Sequence, residues 1–167
     1  YGPKEDVKRT DAEKVKVPGW PSVVQILRWR ETTAQNLWHA SNRRDSGPAF
    51  TWFADIWDAN PTLSWEDRFW ALATMSSPAA FRSLDLKLGE SMKQSFKDKR
   101  AIGIMVKLQK YRTMAFKKKT ALGGRQMVFL MIDHMKVSPH LATTTSMANF
   151  ADLQWWSDAR MEEWLQH

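Results

Sequence analysis

The sequence predicts an all-α protein, a compact bundle of about seven or eight short helices in one body or two small lobes. Three observations carry that expectation. Large apolar residues recur every three or four positions through most of the 167 residues, the spacing that lines one face of a helix. Ser and Pro stand just ahead of these stretches, while Asn-Pro, Gly-Gly or polar clusters follow them, as at helix starts and stops. No convincing period-2 run occurs, and no Asn-Gly or Asp-Gly hairpin turn.

Residues 1–17 alternate lysine with Asp and Glu and hold little large apolar material, which predicts a flexible or partner-dependent tail. Order is expected from Pro18-Gly19-Trp20-Pro21 onward. Ser22 and Gln25 have capping-box spacing, and Val23, Val24, Leu27, Ala34, Leu37 and Trp38 then recur at helical spacing to about Ser41. A polar turn over 42–47 leads to Pro48, a residue suited to a first helical position. Ala49, Trp52, Phe53, Ile56 and Trp57 form an amphipathic stripe that Asn60-Pro61 ends.

Ser64 caps the next helix, with Asp67 three residues on and Trp65, Phe69 and Leu72 on one face. Ser77-Pro78 repeats the start signal before Phe81, Leu84, Leu88, Met92 and Phe96. A further helix places Ala101, Ile104, Met105, Leu108, Tyr111 and Ala115 on one side, with Lys107, Lys110 and Arg112 elsewhere. A basic loop over 117–124 closes on Gly123-Gly124. The helix over 125–136 then carries Met127, Leu130, Met131 and Met135. Pro139 separates it from a last pair of helices around 147–153 and 157–165. The pattern divides the chain into the tail 1–17, a Trp-rich lobe 18–76 and a basic lobe 77–167 with the C-terminal pair.

Ten tryptophans are present, seven of them between Trp20 and Trp70. Indole rings bury large areas, so this density predicts an aromatic core, or a core with an added sticky face. Trp20, Leu27, Trp38, Trp52, Phe53, Trp57, Phe69, Phe81, Leu84 and Leu88 are its expected members. Adjacent indoles on one helix cannot share one core, so Trp155, Trp156 and Trp164 are the expected protein-association residues.

Cysteine is absent, which excludes disulfides, thiolate catalysis and cysteine-ligated metals. No run approaches the ~20 apolar residues of a membrane span. The four histidines are dispersed, the carboxylates suit caps and solvated faces, and no serine sits in a nucleophile-elbow pattern. The expectation is a non-enzyme that needs no metal or organic cofactor. Gly123-Gly124-Arg125 is a weak anion-binding candidate, because it opens a helix whose first N–H groups attract negative charge.

The net charge of +7 is uneven: residues 97–125 hold ten cations and one acid, +9, leaving the rest at −2. Such an excess marks a face for nucleic acid, acidic protein or anionic membrane, or else a solvated helix face. Lys107, Lys110, Arg112, Lys117, Lys118, Lys119 and Arg125 are the candidate polyanion contacts. Without interleaved stacking aromatics they predict RNA binding with no sequence preference.

Arg82-Ser-Leu-Asp-Leu-Lys-Leu88, then Gly123-Gly-Arg-Gln-Met-Val-Phe-Leu-Met-Ile132, then the stretch 150–165 (FADLQWWSDARMEEWL) occur in that order. With Val17-Pro-Gly-Trp-Pro21 and Trp29 at the front, they resemble the Gag-like region of copia-type retrotransposon polyproteins abundant in dinoflagellate genomes. The resemblance covers about residues 17–167. It implies an α-helical capsid-like domain that self-associates and packages RNA without catalysis, in cytoplasm or nucleus. The chain departs from a full Gag in having no zinc knuckle and no protease, integrase or polymerase segment. An accessory structural subunit of a large complex, in an organelle after removal of a targeting segment, is the alternative; Tyr1 in place of Met suits a processed chain or a fragment.

Overall fold

The computed structural model describes residues 12–58 and 60–137. Among these residues it is all-helical, with six α-helices, three short 3-10 segments and no strand. The helices are α1 (Ile26–Ser41), α2 (Gly47–Ala54), α3 (Trp65–Ala71), α4 (Ala79–Ser95), α5 (Met105–Lys117) and α6 (Gly124–Val137). The pair expected over 147–153 and 157–165 lies outside the described residues, as does most of the tail.

Local chemistry accounts for the boundaries. Before α1, the Ser22 N–H donates to Gln25 Oε1 at 3.3 Å, the return bond of a capping box. Asn42 ends α1 in the left-handed region at φ 56°, which an Asn tolerates. Ser64 Oγ accepts from the Asp67 N–H at 3.1 Å and so caps α3. Helix α2 is shorter than its stripe predicts: it stops at Ala54, and Ile56 and Trp57 reach the core from the turn that follows. The helix expected from Ala101 begins as a 3-10 segment (Lys99–Ile104). Its three-residue repeat buries both Ala101 and Ile104, whereas Met105, expected inside, is exposed.

One hydrophobic cluster runs from Val15 to Met135, so residues on both sides of position 76 share one core. Of the expected core, Trp20, Trp52, Phe53, Trp57, Phe69, Phe81, Leu84 and Leu88 are buried. Leu27 and Trp38 are half-buried against it. The seven rings from Trp20 to Trp70 are all buried or half-buried, so none supplies a fully exposed sticky face. Trp65 stacks on Phe69 at 5.4 Å between ring centres, and Tyr111 lies 4.7 Å from Phe69, which joins α3 to α5. Trp52 stacks on Phe81 at 5.2 Å and joins α2 to α4.

The ordered body begins before Pro18. The Ala12 N–H donates to the Ala40 carbonyl at 2.8 Å, Val15 is buried, and the Ser91 hydroxyl donates to the Val15 carbonyl. Residues 12–17 therefore pack on α1 and α4, which shortens the expected flexible tail. Val15 is the apolar anchor in that stretch that composition alone obscures.

Helix α6 is the centre of the fold and packs most extensively on α4. Its residues from Gly124 to Ile132 are buried on every side. A Cβ on Gly123 would fall on the Asp85 carboxylate and the Thr74 hydroxyl, and one on Gly124 would overlap the Leu88 side chain. The two glycines are what let α4 and α6 approach.

Candidate polyanion-binding face

Helix α5 carries no acidic residue. Its inward side holds Leu108, Tyr111 and Ala115, while Lys110, Arg112 and Lys117 stand exposed. The turn after it adds exposed Lys118 and Lys119. Lys119 adopts a left-handed backbone at φ 59°, letting the Thr120 N–H reach the Ala115 carbonyl at 3.0 Å and close the helix. That geometry gathers five cations along one helix and its terminus. Some lie over rings: Lys118 Nζ is 4.3 Å from the Trp70 ring centre and Lys110 Nζ 5.5 Å from that of Tyr111.

Two expected members stand apart from this face. Lys107 is half-buried, pairs with Asp133 at 2.9 Å and lies 4.5 Å over the Trp65 ring. Its charge is already matched inside the structure. Arg125 is a correction: its side chain is 3% exposed and cannot meet an external polyanion. Its Nη1 donates to the Trp52 carbonyl at 3.1 Å and reaches Asp55 Oδ2 at 3.4 Å, while Nη2 donates to Ser77 Oγ at 3.0 Å. Trp52 Nε1 donates to the same hydroxyl at 2.9 Å. Ser77, expected only as a start signal, is thus a junction between α2 and α6.

The anion expected at Gly123-Gly124-Arg125 is internal. Asp85, expected on a cap or solvated face, is fully buried on α4. Its Oδ1 accepts the Arg125 backbone N–H at 2.9 Å, and its Oδ2 accepts from the Thr74 hydroxyl. The Gly123 N–H donates to Gln126 Oε1 at 3.1 Å. The first turn of α6 is therefore satisfied by its own fold. Burial pushes the Asp85 carboxyl above its ordinary value, and the Thr74 hydroxyl, the Arg125 N–H and the Arg125 charge oppose it. Burial likewise draws the Arg125 guanidinium below its usual range, against the charges of Asp85 and Asp55. Desolvation is the larger effect on both groups, so their pairing offsets only part of the cost of burying them.

The charge pattern gave no notice that the basic face is also apolar. Ile102 is 70%, Val106 84% and Phe116 80% exposed. Their spacing is helical, so the available signal was a second apolar stripe, offset from the inward one. Elsewhere, an open groove of about 710 Å³ is lined by Pro18, Trp20, Pro21, Val24, Leu27 and Trp29, among others. Trp155, Trp156 and Trp164, the expected association residues, lie outside the described residues.

Among the described residues, no three of His, Asp and Glu converge as metal ligands, and no helix is long and apolar enough to cross a membrane. Comparison with known proteins finds no matching family model, no matching curated sequence and no matching solved structure.

Proposed function

We propose that this chain is a non-enzymatic assembly domain, Gag-like in its resemblance, that self-associates and binds RNA without sequence preference through α5 and the turn after it. The observation that supports the reading is the exposure of Lys110, Arg112, Lys117, Lys118 and Lys119 on one acid-free helix and its end. Such an array, four lysines and one arginine, meets a phosphate backbone chiefly by charge. Lys107 and Arg125 are excluded from it.

Titration with single-stranded RNA over a range of salt tests this. Five neutralised phosphates give a slope of log K against log salt of roughly −3.5 on single strands and −4.5 on duplex. Reversal of Lys117, Lys118 and Lys119 to Glu should weaken every sequence alike and flatten the slope. Absence of binding at low salt, or binding indifferent to salt, overturns the reading. Self-association is read from the size of the purified chain: large regular particles support it, and a lone monomer counts against it.

A second reading, an accessory subunit of a larger complex, is favoured by one observation. Val106 and Phe116 stand in solvent beside the cations, and apolar residues rimmed by charge suit a protein partner better than a phosphate backbone.

A further inference from the structure

Projected at about 100° per residue, Met105, Phe116, Gln109, Thr113 and Val106 lie side by side across the outward side of α5, and all five are exposed. Arg112 borders this strip on one edge, and Lys117 and Lys110 border it on the other. Lys118 and Lys119 follow in the turn after the helix. Ile102 adds a further exposed apolar side chain from the preceding 3-10 segment. Acids of neighbouring elements are already matched: Glu90 pairs with Lys93 at 2.8 Å, Asp98 with Arg100 at 3.0 Å and Asp133 with Lys107 at 2.9 Å. The outward side thus joins apolar tips to a positive border.

That combination selects among anionic occupants. A phosphate backbone uses the cations and gains nothing from burying Ile102, Val106 and Phe116. A second copy of the same face would set Lys and Arg against Lys and Arg. A folded protein partner packs best over a contiguous apolar patch. Here Gln109 and Thr113 separate Val106 from Phe116, and the apolar tips are strung along about 21 Å from Ile102 to Phe116. The interfacial layer of a bilayer needs no contiguous patch. It takes each apolar side chain singly at the boundary of headgroups and acyl chains, leaves uncharged polar groups among the headgroups, and holds Lys and Arg ends at anionic lipid. A helix seated this way lies along the surface and has no need of a membrane-crossing length.

We propose that the outward side of α5 seats on an anionic lipid bilayer, with Ile102, Val106 and Phe116 entering the interface and Lys110, Arg112, Lys117 and Lys119 meeting the headgroup charge. The attachment is peripheral and reversible, since a few apolar side chains and cations fall far short of a membrane-spanning helix. It does not rest on RNA binding. It draws on the same cations, so lipid and RNA would exclude one another on this face.

Because the chain has no cysteine, Thr113→Cys gives a single attachment point for an environment-sensitive fluorophore, and Gln35→Cys on α1 gives a control. The labelled full-length chains are mixed, without RNA, with vesicles of phosphatidylcholine alone or of phosphatidylcholine with phosphatidylserine. The expected result is a blue shift at position 113 on the phosphatidylserine vesicles only, quenched by nitroxide-bearing lipid, and no shift at position 35. Sedimentation with the same vesicles then follows the unlabelled chain. Ile102→Ser, Val106→Ser and Phe116→Ser together should weaken it about tenfold or more. Lys117→Gln, Lys118→Gln and Lys119→Gln together should weaken it on the order of a hundredfold, with thermal melting unchanged in both variants. No sedimentation at low salt overturns the proposal and leaves the strip to a protein partner. Binding that the triple apolar variant leaves intact overturns it too, because charge alone then holds the vesicle. That variant should keep the parent's RNA affinity, and a parallel loss of both overturns the assignment of the strip to lipid. A failed RNA titration of the parent leaves vesicle binding standing, and failed sedimentation leaves the RNA reading standing.

Discussion

Helices α5 and α6 are consecutive, of similar length, and joined by the most basic stretch of the chain, yet they place their charges oppositely. Helix α5 lies on the surface with one buried side, and its cations reach solvent. Helix α6 is enclosed, and the one arginine at its start is consumed by Trp52, Ser77 and Asp55. The difference teaches that a run of basic residues is two things at once. Its exposed part is an electrostatic surface, and its buried part is a structural joint whose charge is unavailable outside.

The largest effects of substitution are expected on the α6 side. Trp52→Ala should cost about 3–5 kcal/mol, because the ring is buried against Phe81 and its Nε1 donates to Ser77 Oγ. Arg125→Ala should cost a similar ~3–5 kcal/mol, since it removes one donor from Ser77 and leaves the buried Asp85 without a compensating cation. Chemical denaturation measures both. A loss near zero for Arg125→Ala would place that residue with the surface cations.

Gly124→Ala comes next, at about 1–3 kcal/mol from overpacking. The added carbon would meet Leu88 and come within 2.7 Å of the Gly89 backbone nitrogen. A neutral result in thermal melts would mean that α4 and α6 separate at little cost.

His134, on the far end of α6, makes the stability of this helix depend on pH. Burial first, and then the charge of Lys107, lower its pKa from the ordinary 6.5, with Asp133 opposing. The unfolded chain then binds the proton more readily than the folded one just below pH 6.5, so stability is present above that value and lost on acidification. Raised carboxyls at Asp55 and Asp85 act with the opposite sign, adding stability as pH falls toward their ordinary value. The difference between the parent chain and His134→Gln isolates the histidine: the variant should lose less stability between neutral and mildly acid pH. Parallel curves would remove His134 from the account.

The smallest effects belong to α5. Lys117→Ala should stay within about 0.5 kcal/mol in stability, as expected of an exposed side chain whose charge in the last turn of α5 adds only a few tenths of a kcal/mol. Lys119→Gly should be neutral or stabilise by up to about 1 kcal/mol, because its left-handed backbone suits glycine. If RNA binds as proposed, the same change lowers affinity, so stability and binding move independently.

Much of this protein is decided by periodicity and end signals. The helices around Trp52, Phe69, Leu88 and Leu108 follow from apolar spacing, because a helix must hide one side wherever it is placed. Ser64 and Asn42 mark their boundaries by bonds formed within a few residues. The sequence also located the basic segment. Tertiary structure alone decided which of those cations face water. Arg125 looked like its neighbours because nothing local distinguishes it; its partners lie 48 to 73 residues away. Asp85 resembled a surface carboxylate until the Gly123-Gly124 approach set the start of α6 against it. Local pattern determines helices because their hydrogen bonds are local. The fate of a charge depends on what the fold brings around it.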